Sequence, residues 1–459
     1  MFDYVLQQVP AGITYRIDTS LQSPATPGVV RITFDVGATV APGDHYAVVI
    51  HAVIDGRAFG TGRVALHVLP SEATATTSEA VAIAAGEAHS LAALADGSVL
   101  AWGDNANGQL GINSRISRNE PSVVRNLDGI VGVAAGGRHS LALTSNGIVW
   151  AWGYNSDGQL GIGSAGDHFG GEPVPIEVQG VHNIQAIAAG ERHSLALKLD
   201  GTVWAWGDGA RGAVGSGSDE DSVLPVEVQG LPRIRAIAAG NGSSLAVGVD
   251  GSVWIWGALF PAQGEALVPV QVAGLSNIRA IATRNYAALA VDDEGRVWGW
   301  GRNLAGQLGD GTTTDRVMPV VAQGLPTVIE VALRNYRAFG LTADGTVWQW
   351  GDSSSDEPQA PAMVPGLEGV SAIAAGGNHT LALLGCGQLW AWGSDNEGQL
   401  GIGMDSPGNA PTLLRGVGDD SGCRRVMHQV HQVGASGRLL TTDPGPLEFN
   451  GMTFRGVFD

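Results

Sequence analysis

The stretch GERHSLALKLDGTVWAWG, residues 190–207, decides the fold of this chain of 459 residues. An apolar run at 194–197 is followed by Asp200-Gly201, and a second apolar run at 203–206 follows that pair. Asp-Gly between two apolar runs is a strong hairpin signal, because the tight turn needs positive φ angles. The stretch therefore predicts two antiparallel strands joined by a short turn.

The same pattern recurs along the chain at intervals of 42 to 54 residues. A Gly lies five residues before the Trp of each terminal Trp-Gly pair, and further apolar runs such as 187–189 and 226–228 add two strands to each unit. Four strands in a unit of about 40–50 residues are typical of a propeller blade. We predict an all-β protein with a seven-bladed β-propeller of four-stranded blades over residues 80–416. The Trp residues that mark the seven units are Trp102, Trp152, Trp206, Trp256, Trp300, Trp350 and Trp392.

Three motifs carry a family resemblance. His-Ser-Leu-Ala-Leu at 193–197, Asp-Gly-Thr-Val-Trp-Ala-Trp-Gly at 200–207 and Asn-Ser-Asp-Gly-Gln-Leu-Gly at 155–161 resemble the repeats of the regulator of chromosome condensation (alpha-tubulin-suppressor-like) family. The resemblance covers the seven units and implies that family's seven-bladed propeller. It implies less about function, because one fold hosts many functions.

A His lies thirteen residues before the marker Trp in four units. Residues of this kind, one on each of several blades, cannot converge on a single metal ion. We therefore interpret the His and Trp of the repeat as structural, with the His forming a repeated hydrogen bond, and we predict neither a metal site nor a cofactor. The four histidines are His89, His139, His193 and His379.

The flanks of the repeat have a different character. Residues 1–70 contain alternating strands that resemble the end of a bacterial immunoglobulin-like module; alternatively, these strands cover one side of the propeller. Residues 71–79 read as a polar linker, and residues 417–459 as a tail packed on or tied to the propeller. Cys386 and Cys423 are the only two cysteines. A disulfide between them would tie the tail to the last blade, whereas the alternative is two free thiols.

Charge and hydropathy exclude several classes of function. The chain carries 44 acidic against 25 basic residues, a net charge of −19, so binding to nucleic acid is disfavoured. The sequence contains no run of 18 apolar residues, so it predicts no membrane-spanning helix.

The disulfide prediction and the immunoglobulin-like resemblance favour an extracellular or cell-surface bacterial protein, as part of a longer chain. The chain is expected to be monomeric.

The repeat breaks in its fifth and sixth units. Gly-x-x-His is replaced there by Arg284-Asn285-Tyr286-Ala287 and by Arg334-Asn335-Tyr336-Arg337. Departures from a repeat that the fold does not explain are candidates for function, and Tyr and Arg are typical of binding hot spots. We predict a protein-binding patch on one loop face; the alternative is a duplication of neighbouring units that packs structurally. The candidate residues are Arg284, Tyr286, Arg334, Tyr336 and Arg337.

These observations lead to one main functional hypothesis and two alternatives. The main hypothesis is a non-catalytic propeller that binds an unknown protein through one face. The first alternative is a carbohydrate- or cell-wall-binding module. The second is an enzyme, which is disfavoured because the sequence shows neither a converging acid–base pair nor a Gly-x-Ser-x-Gly nucleophile motif.

Overall fold

A computed structural model describes most of the repeat region. It covers residues 78–166, 171–258, 264–351, 360–403, 410–414 and 417, the backbone of five strands between residues 2 and 67, and two short strands near the C-terminus. Contacts divide the chain into two units, Met1–Ala75 with Gln432–Asp459, and Thr76–His431.

The second unit contains seven four-stranded blades. Blade 1 comprises β6 (Ala80–Ala85), β7 (His89–Leu94), β8 (Val99–Gly103) and β9 (Arg118–Val123). Blade 2 comprises β10 (Ile130–Ala135), β11 (His139–Thr144), β12 (Val149–Gly153) and β13 (Glu172–Glu177). Blade 3 comprises β14 (Ile184–Ala189), β15 (His193–Lys198), β16 (Val203–Gly207) and β17 (Ser222–Glu227), with the 3-10 turn Ala210–Gly212 before β17. Blade 4 comprises β18 (Ile234–Ala239), β19 (Ser243–Gly248), β20 (Val253–Ala258) and β21 (Glu265–Gln271).

The last three blades follow the same order. Blade 5 comprises β22 (Ile278–Arg284), β23 (Ala287–Asp292), β24 (Val297–Gly301) and β25 (Arg316–Val321). Blade 6 comprises β26 (Val328–Leu333), β27 (Ala338–Thr342), β28 (Val347–Trp350) and β29 (Ala362–Met363). Blade 7 comprises β30 (Val370–Ala375), β31 (His379–Leu384), β32 (Leu389–Gly393) and β33 (Thr412–Leu413).

Each blade is built from four consecutive strands paired antiparallel in chain order, so no described strand is exchanged between blades. The Asp-Gly and related turns join the second strand to the third, as the sequence predicts. The all-β, seven-bladed propeller is therefore confirmed, and its first and last blades meet through side chains and loops.

The hydrophobic core is divided among the interfaces between neighbouring blades. Among the described residues there are seven clusters of buried side chains, and each contains one fully buried marker Trp. Trp152 of blade 2, for example, packs with Leu91 and Val99 of blade 1. Because every sheet is covered on both faces by neighbouring blades, the second strand of each blade is a nearly continuous apolar run.

A proline lies at one fixed place in the outermost strand region of all seven blades. In blade 1, Pro121 precedes Ser122, which pairs with Ala101 next to the buried Trp102, and the strand register shifts just beyond this pair. Proline lacks a backbone N–H and is found on edge strands and at bulges. The sequence analysis did not identify this position. The seven residues are Pro121, Pro175, Pro225, Pro269, Pro319, Pro361 and Pro411.

The first unit contains β1 (Phe2–Gln7), β2 (Ile13–Asp18), β3 (Arg31–Val36), β4 (His45–Ile54) and β5 (Arg57–His67). One sheet has the order β1-β4-β5, and β2 pairs with β3. The predicted strands in this region are present, but their immunoglobulin-like character stays a prediction. Near the C-terminus, β34 (Leu447–Phe449) pairs with β35 (Met452–Phe454).

Several predictions concern residues outside the described part of the chain. They include Cys423, most of the 71–79 linker and most of the 417–459 tail. Cys386 lies at the hairpin turn between β31 and β32, so its pairing with Cys423 stays a prediction.

Candidate functional site: the loop face around the propeller axis

The loops that join the first and second strands of each blade lie around the propeller axis; we call them the inner loops. Backbone hydrogen bonds link each inner loop to the next in blades 7, 1, 2, 3 and 4. The Gly377 N–H donates to the Gly86 carbonyl at 3.0 Å, Glu87 N–H to Gly136 at 3.2 Å and Glu191 N–H to Gly240 at 3.1 Å. Five of the seven inner loops thus form a continuous polar arc.

The Gly of the Gly-x-x-His motif is explained by this close approach. A Cβ added to Gly86 would lie 2.6 Å from the Gly136 carbonyl oxygen, and one added to Gly136 would lie 2.5 Å from that of Gly190. Such contacts are far below van der Waals distance, so only Gly fits where two loop backbones touch.

The repeated histidines form a second layer of bonds beneath the inner loops. Each His Nε2 contacts the Ser Oγ of the following blade at 2.9 to 3.0 Å, and His379 of blade 7 contacts Ser90 of blade 1. The four pairs join blades 7 to 1, 1 to 2, 2 to 3 and 3 to 4. They are His379–Ser90, His89–Ser140, His139–Ser194 and His193–Ser244.

The same serine also connects to the Gly-Gln-Leu-Gly loop. Ser140 Oγ donates to the Gln109 carbonyl at 2.8 Å, and Trp152 Nε1 donates to the same oxygen at 2.8 Å. The arrangement is repeated in two other blades. Ser194 and Trp206 both donate to the Gln159 carbonyl, and Ser90 and Trp102 both donate to the Gln399 carbonyl. The repeated His, Ser, Trp and Gln are therefore parts of one connection between neighbouring blades.

The pattern of hydrogen-bond donors and acceptors identifies the tautomer of the repeated histidines. Because Ser140 donates its only hydroxyl proton to Gln109, it must accept from His89 Nε2–H, which leaves Nδ1 without a proton. That Nδ1 is buried, and no described residue bonds to it. Burial lowers the pKa of His89 and His193 to about 4 and that of His139 and His379 to about 3. Arg334 and Arg284 lower the pKa of His379 further. The histidines are neutral structural groups at physiological pH.

The pattern ends at blades 5 and 6, where Arg284 replaces the first Gly. The Arg284 guanidinium reaches Glu87 of blade 1 at 2.5 Å, and its side chain is only 15% exposed. Its Nε lies 3.4 Å from Asn335 Oδ1 of blade 6. Arg284 therefore bonds inward across the axis and is not an outward-facing residue of the predicted patch.

Three asparagines continue the arc where the glycines stop. Asn241 Oδ1 accepts from the Asn285 N–H at 3.1 Å, and Asn285 Nδ2 donates to the Asn335 carbonyl at 3.1 Å. Asn241 Nδ2 also donates to Glu191 at 2.8 Å. The two Arg-Asn-Tyr segments thus lie side by side, as predicted, but their amides bond within the protein.

Tyr286 lies between blades 4 and 5. It has φ +62° and follows Asn285 with φ +48°, and Arg284 pairs with Ala287 across these two residues. Such a turn has the positive φ angles of type I′. The Tyr286 ring packs on the blade 4–5 core, and its hydroxyl accepts from Arg211 at 3.2 Å.

Tyr336 occupies a different kind of loop. Leu333 pairs with Ala338, so Arg334 to Arg337 form a four-residue loop without positive φ at its Asn or Tyr. The Tyr336 side chain is 37% exposed. Arg334 donates to the Asn378 carbonyl at 2.5 Å, and Arg337 to the Gly351 carbonyl at 3.2 Å.

The remaining features of this face concern loops and charges. The variable loops at 260–264 and 353–357 lie almost entirely outside the described residues. Within the described ranges, no group of three or more His, Cys, Asp or Glu is placed to hold a metal ion. Nor is any helical segment there long and apolar enough to cross a membrane.

Comparisons with known proteins agree with this architecture. A model of the RCC1-like domain matches residues 22–263, and models of the regulator of chromosome condensation (RCC1) repeat match 294–333, 370–399 and 386–431. The ultraviolet-B receptor UVR8 of Arabidopsis thaliana is 31% identical over 156 residues, which are 33% of this chain and 35% of the receptor. The human E3 ubiquitin-protein ligase HERC2 is 31% identical over 181 residues, 36% of this chain and 4% of the ligase. The chain thus spans a small part of these relatives.

Solved structures show the same fold at low sequence identity. Human WBSCR16 superposes with a TM-score of 0.61 at 24% identity, covering 70% of this chain and 89% of that one. Yeast RCC1 (Prp20), in a structure bound to Kap60, gives 0.61 at 20% identity and covers 74% and 85%. Since one family model spans more than half of the 459 residues and the repeat models continue to residue 431, the chain belongs to the RCC1-like domain family.

Proposed function

We propose that this propeller is a non-catalytic module that binds a protein partner through its loop face in the sector of blades 3 to 6. One observation carries the proposal: Tyr336 is exposed next to Arg337, which occupies the position where four other blades bury a histidine. We call this the Tyr-Arg surface, defined as Arg211, Tyr286, Arg302, Tyr336 and Arg337. Arg211 and Tyr336 are exposed, and the other three are partly exposed. Tyr and Arg are the residue types that most often anchor interfaces.

Relatives of the same fold support a binding role. One solved structure is of Prp20 bound to Kap60, and another study of Prp20 describes its binding to Gsp1p and histones. Those partners belong to the yeast protein. For this chain, the relatives support protein binding as a use of the fold and leave the partner to be identified.

The polar groups at the axis support a role without chemistry. Arg284 and Glu87 bond to each other, and Asn241, Asn285 and Asn335 bond in series. Groups consumed by internal bonds hold the loops in place, whereas a catalytic acid or base must reach a substrate.

Photo-cross-linking tests the proposed surface directly. A photoreactive phenylalanine derivative at Tyr336 of the full chain should give covalent adducts with a partner in extract or medium of the source cells. The matched control is the same derivative at Leu199, which is exposed on the opposite, hairpin face. Adducts from both positions, or from Leu199 alone, would contradict the assignment of the surface.

We further propose an extracellular or cell-surface location, supported by the predicted pairing of Cys386 with Cys423. Disulfides persist mainly in oxidising compartments. The mass of the intact, unreduced protein after thiol alkylation should show no added alkyl group. Two alkyl groups without reduction would contradict both the disulfide and this support for the location.

A further inference from the structure

We propose that the partner presents an acidic protein segment to the Tyr-Arg surface. The inference rests on the proposed function and adds the chemistry of the partner. It follows from the charges that blades 5 and 6 introduce, from the contacts of those charges, and from the polar groups that the surface lacks.

The repeat shows a reversal of charge at the start of the loop after the third strand. The residue that follows Trp-Gly is Asp104, Asp208 and Asp352 in blades 1, 3 and 6, is uncharged in blades 2, 4 and 7, and is Arg302 in blade 5 alone. Arg337 similarly replaces the His of the repeat in blade 6. Both arginines lie in neighbouring blades of a protein whose net charge is −19, so the overall composition does not account for them.

The structure places two arginines, Arg302 of blade 5 and Arg211 of blade 3, around Tyr286. Arg302 is adjacent because its N–H donates to the Tyr286 carbonyl at 2.8 Å. Arg211 donates to the Tyr286 hydroxyl, and its side chain is 53% exposed, with Glu265 at 3.7 Å. Arg302 forms no ion pair with any described residue.

Blade 6 extends this arrangement. Asn285 contacts the Asn335 carbonyl, which brings the loop of Tyr336 next to that of Tyr286. Arg337 of the same loop donates from Nε to the Gly351 carbonyl at 3.2 Å. The surface therefore combines two tyrosines with three arginines, and guanidinium groups match carboxylates in a two-pronged geometry.

The polar groups also discriminate against a neutral sugar. Sugar hydroxyls need a mixture of donors and acceptors near an aromatic ring, but Asn285 and Asn335 are bonded to neighbouring loops. The Tyr286 ring packs against the core and offers only part of its surface. What remains accessible is a set of cationic donors, which favours carboxylates.

The test measures binding of fluorescein-labelled poly-L-glutamate to the full chain by fluorescence anisotropy at low salt, with a neutral Gly-Ser peptide as the reference. We expect saturable binding that weakens steeply with added salt, since exposed charges are screened. The double variant Arg211→Glu/Arg302→Glu should bind roughly tenfold more weakly or worse, because both cations become repulsive. Circular dichroism and the melting temperature check that it folds.

The matched control is Arg138→Glu/Arg233→Glu, which changes the net charge equally. Both residues are exposed; Arg138 lies on the loop face in blade 2 and Arg233 precedes β18. This control should retain binding. Equal loss in both double variants, or no binding of poly-L-glutamate by the parent, would overturn the inference.

Two further outcomes separate the inference from the proposed function. Heparin bound at the surface without poly-L-glutamate would overturn it in favour of an acidic polysaccharide. A partner cross-linked at Tyr336 through a segment without acidic residues would overturn it while leaving protein binding in place. Absence of any cross-linked protein would instead count against the proposed function itself.

Discussion

Ser194 shows how one hydroxyl can join two blades. It accepts from His139 Nε2 at 2.9 Å and donates to the Gln159 carbonyl at 2.8 Å, and that carbonyl also receives Trp206 Nε1. All of these groups are buried, so each bond replaces one that water would otherwise supply. A buried donor left without a partner costs about 1–3 kcal/mol. The serine is therefore worth more to the fold than its size suggests.

Replacement of Ser194 should reveal how much these hydrogen bonds contribute to stability. We expect Ser194→Ala to lower the free energy of unfolding by about 2–3 kcal/mol, because His139 Nε2–H then has no acceptor. Urea denaturation followed by tryptophan fluorescence measures the change. Ser145→Ala, at an exposed turn position, should stay within about 0.5 kcal/mol of the parent. Equal effects of the two substitutions would contradict the role given to Ser194.

At the scale of the element, the same tripeptide adopts two backbone structures. Arg-Asn-Tyr forms a two-residue turn with positive φ in blade 5 and part of a four-residue loop in blade 6. The repeat spacing predicted seven blades and the position of these loops, because strands and turns depend mainly on residues that are close in the sequence. It did not predict that Arg284 bonds inward to Glu87, since that contact joins residues almost 200 positions apart. The outer prolines were also missed, because one proline among 21 has meaning only when aligned on the blades.

The inner loops give a matched pair of glycine substitutions. We expect Gly136→Ala to destabilise the protein by about 1–3 kcal/mol, since the new Cβ would lie 2.5 Å from the Gly190 carbonyl. Gly132→Ala, four residues earlier on β10, meets nothing closer than Leu143 at 3.8 Å. It should be neutral or stabilising by up to about 1 kcal/mol. Thermal unfolding of both variants measures the difference, and a destabilised Gly132→Ala would show that β10 packs more tightly than described.

At the scale of the whole molecule, the four histidines make the ring sensitive to acid. Unfolding returns each His to a pKa near 6.5, whereas the folded values are about 3 to 4. Between these limits the unfolded chain binds more protons, so stability falls as the pH is lowered. Glu330 is half-buried and accepts from the Ile373 N–H of blade 7. It acts in the opposite direction, because its partial burial raises its pKa from 4.5 to about 7. The folded state therefore gains one proton while the unfolded state gains four.

The difference in bound protons between the unfolded and folded states determines how steeply stability depends on pH. Three protons correspond to about 4 kcal/mol of lost stability per pH unit between roughly pH 6 and 5. Melting temperatures measured from pH 8 to pH 4.5 should fall steeply below pH 6. His193→Gln should flatten the slope by one proton, while His182→Gln, at an exposed position, should leave it unchanged. A flat profile in the parent would show that the buried histidines do not control its acid stability.

The seven outer prolines bear on how the protein behaves when it is concentrated. A closed ring of sheets turns seven strand edges towards the solvent, and each is a potential template for fibril growth. Proline at the same step of every edge interrupts the row of N–H groups that an incoming strand would need. Several of those edges carry exposed apolar side chains, among them Val268 and Met318. Burial of these side chains would otherwise favour the addition of another strand. The perimeter of the propeller can thus carry exposed apolar side chains without becoming the starting point of an aggregate.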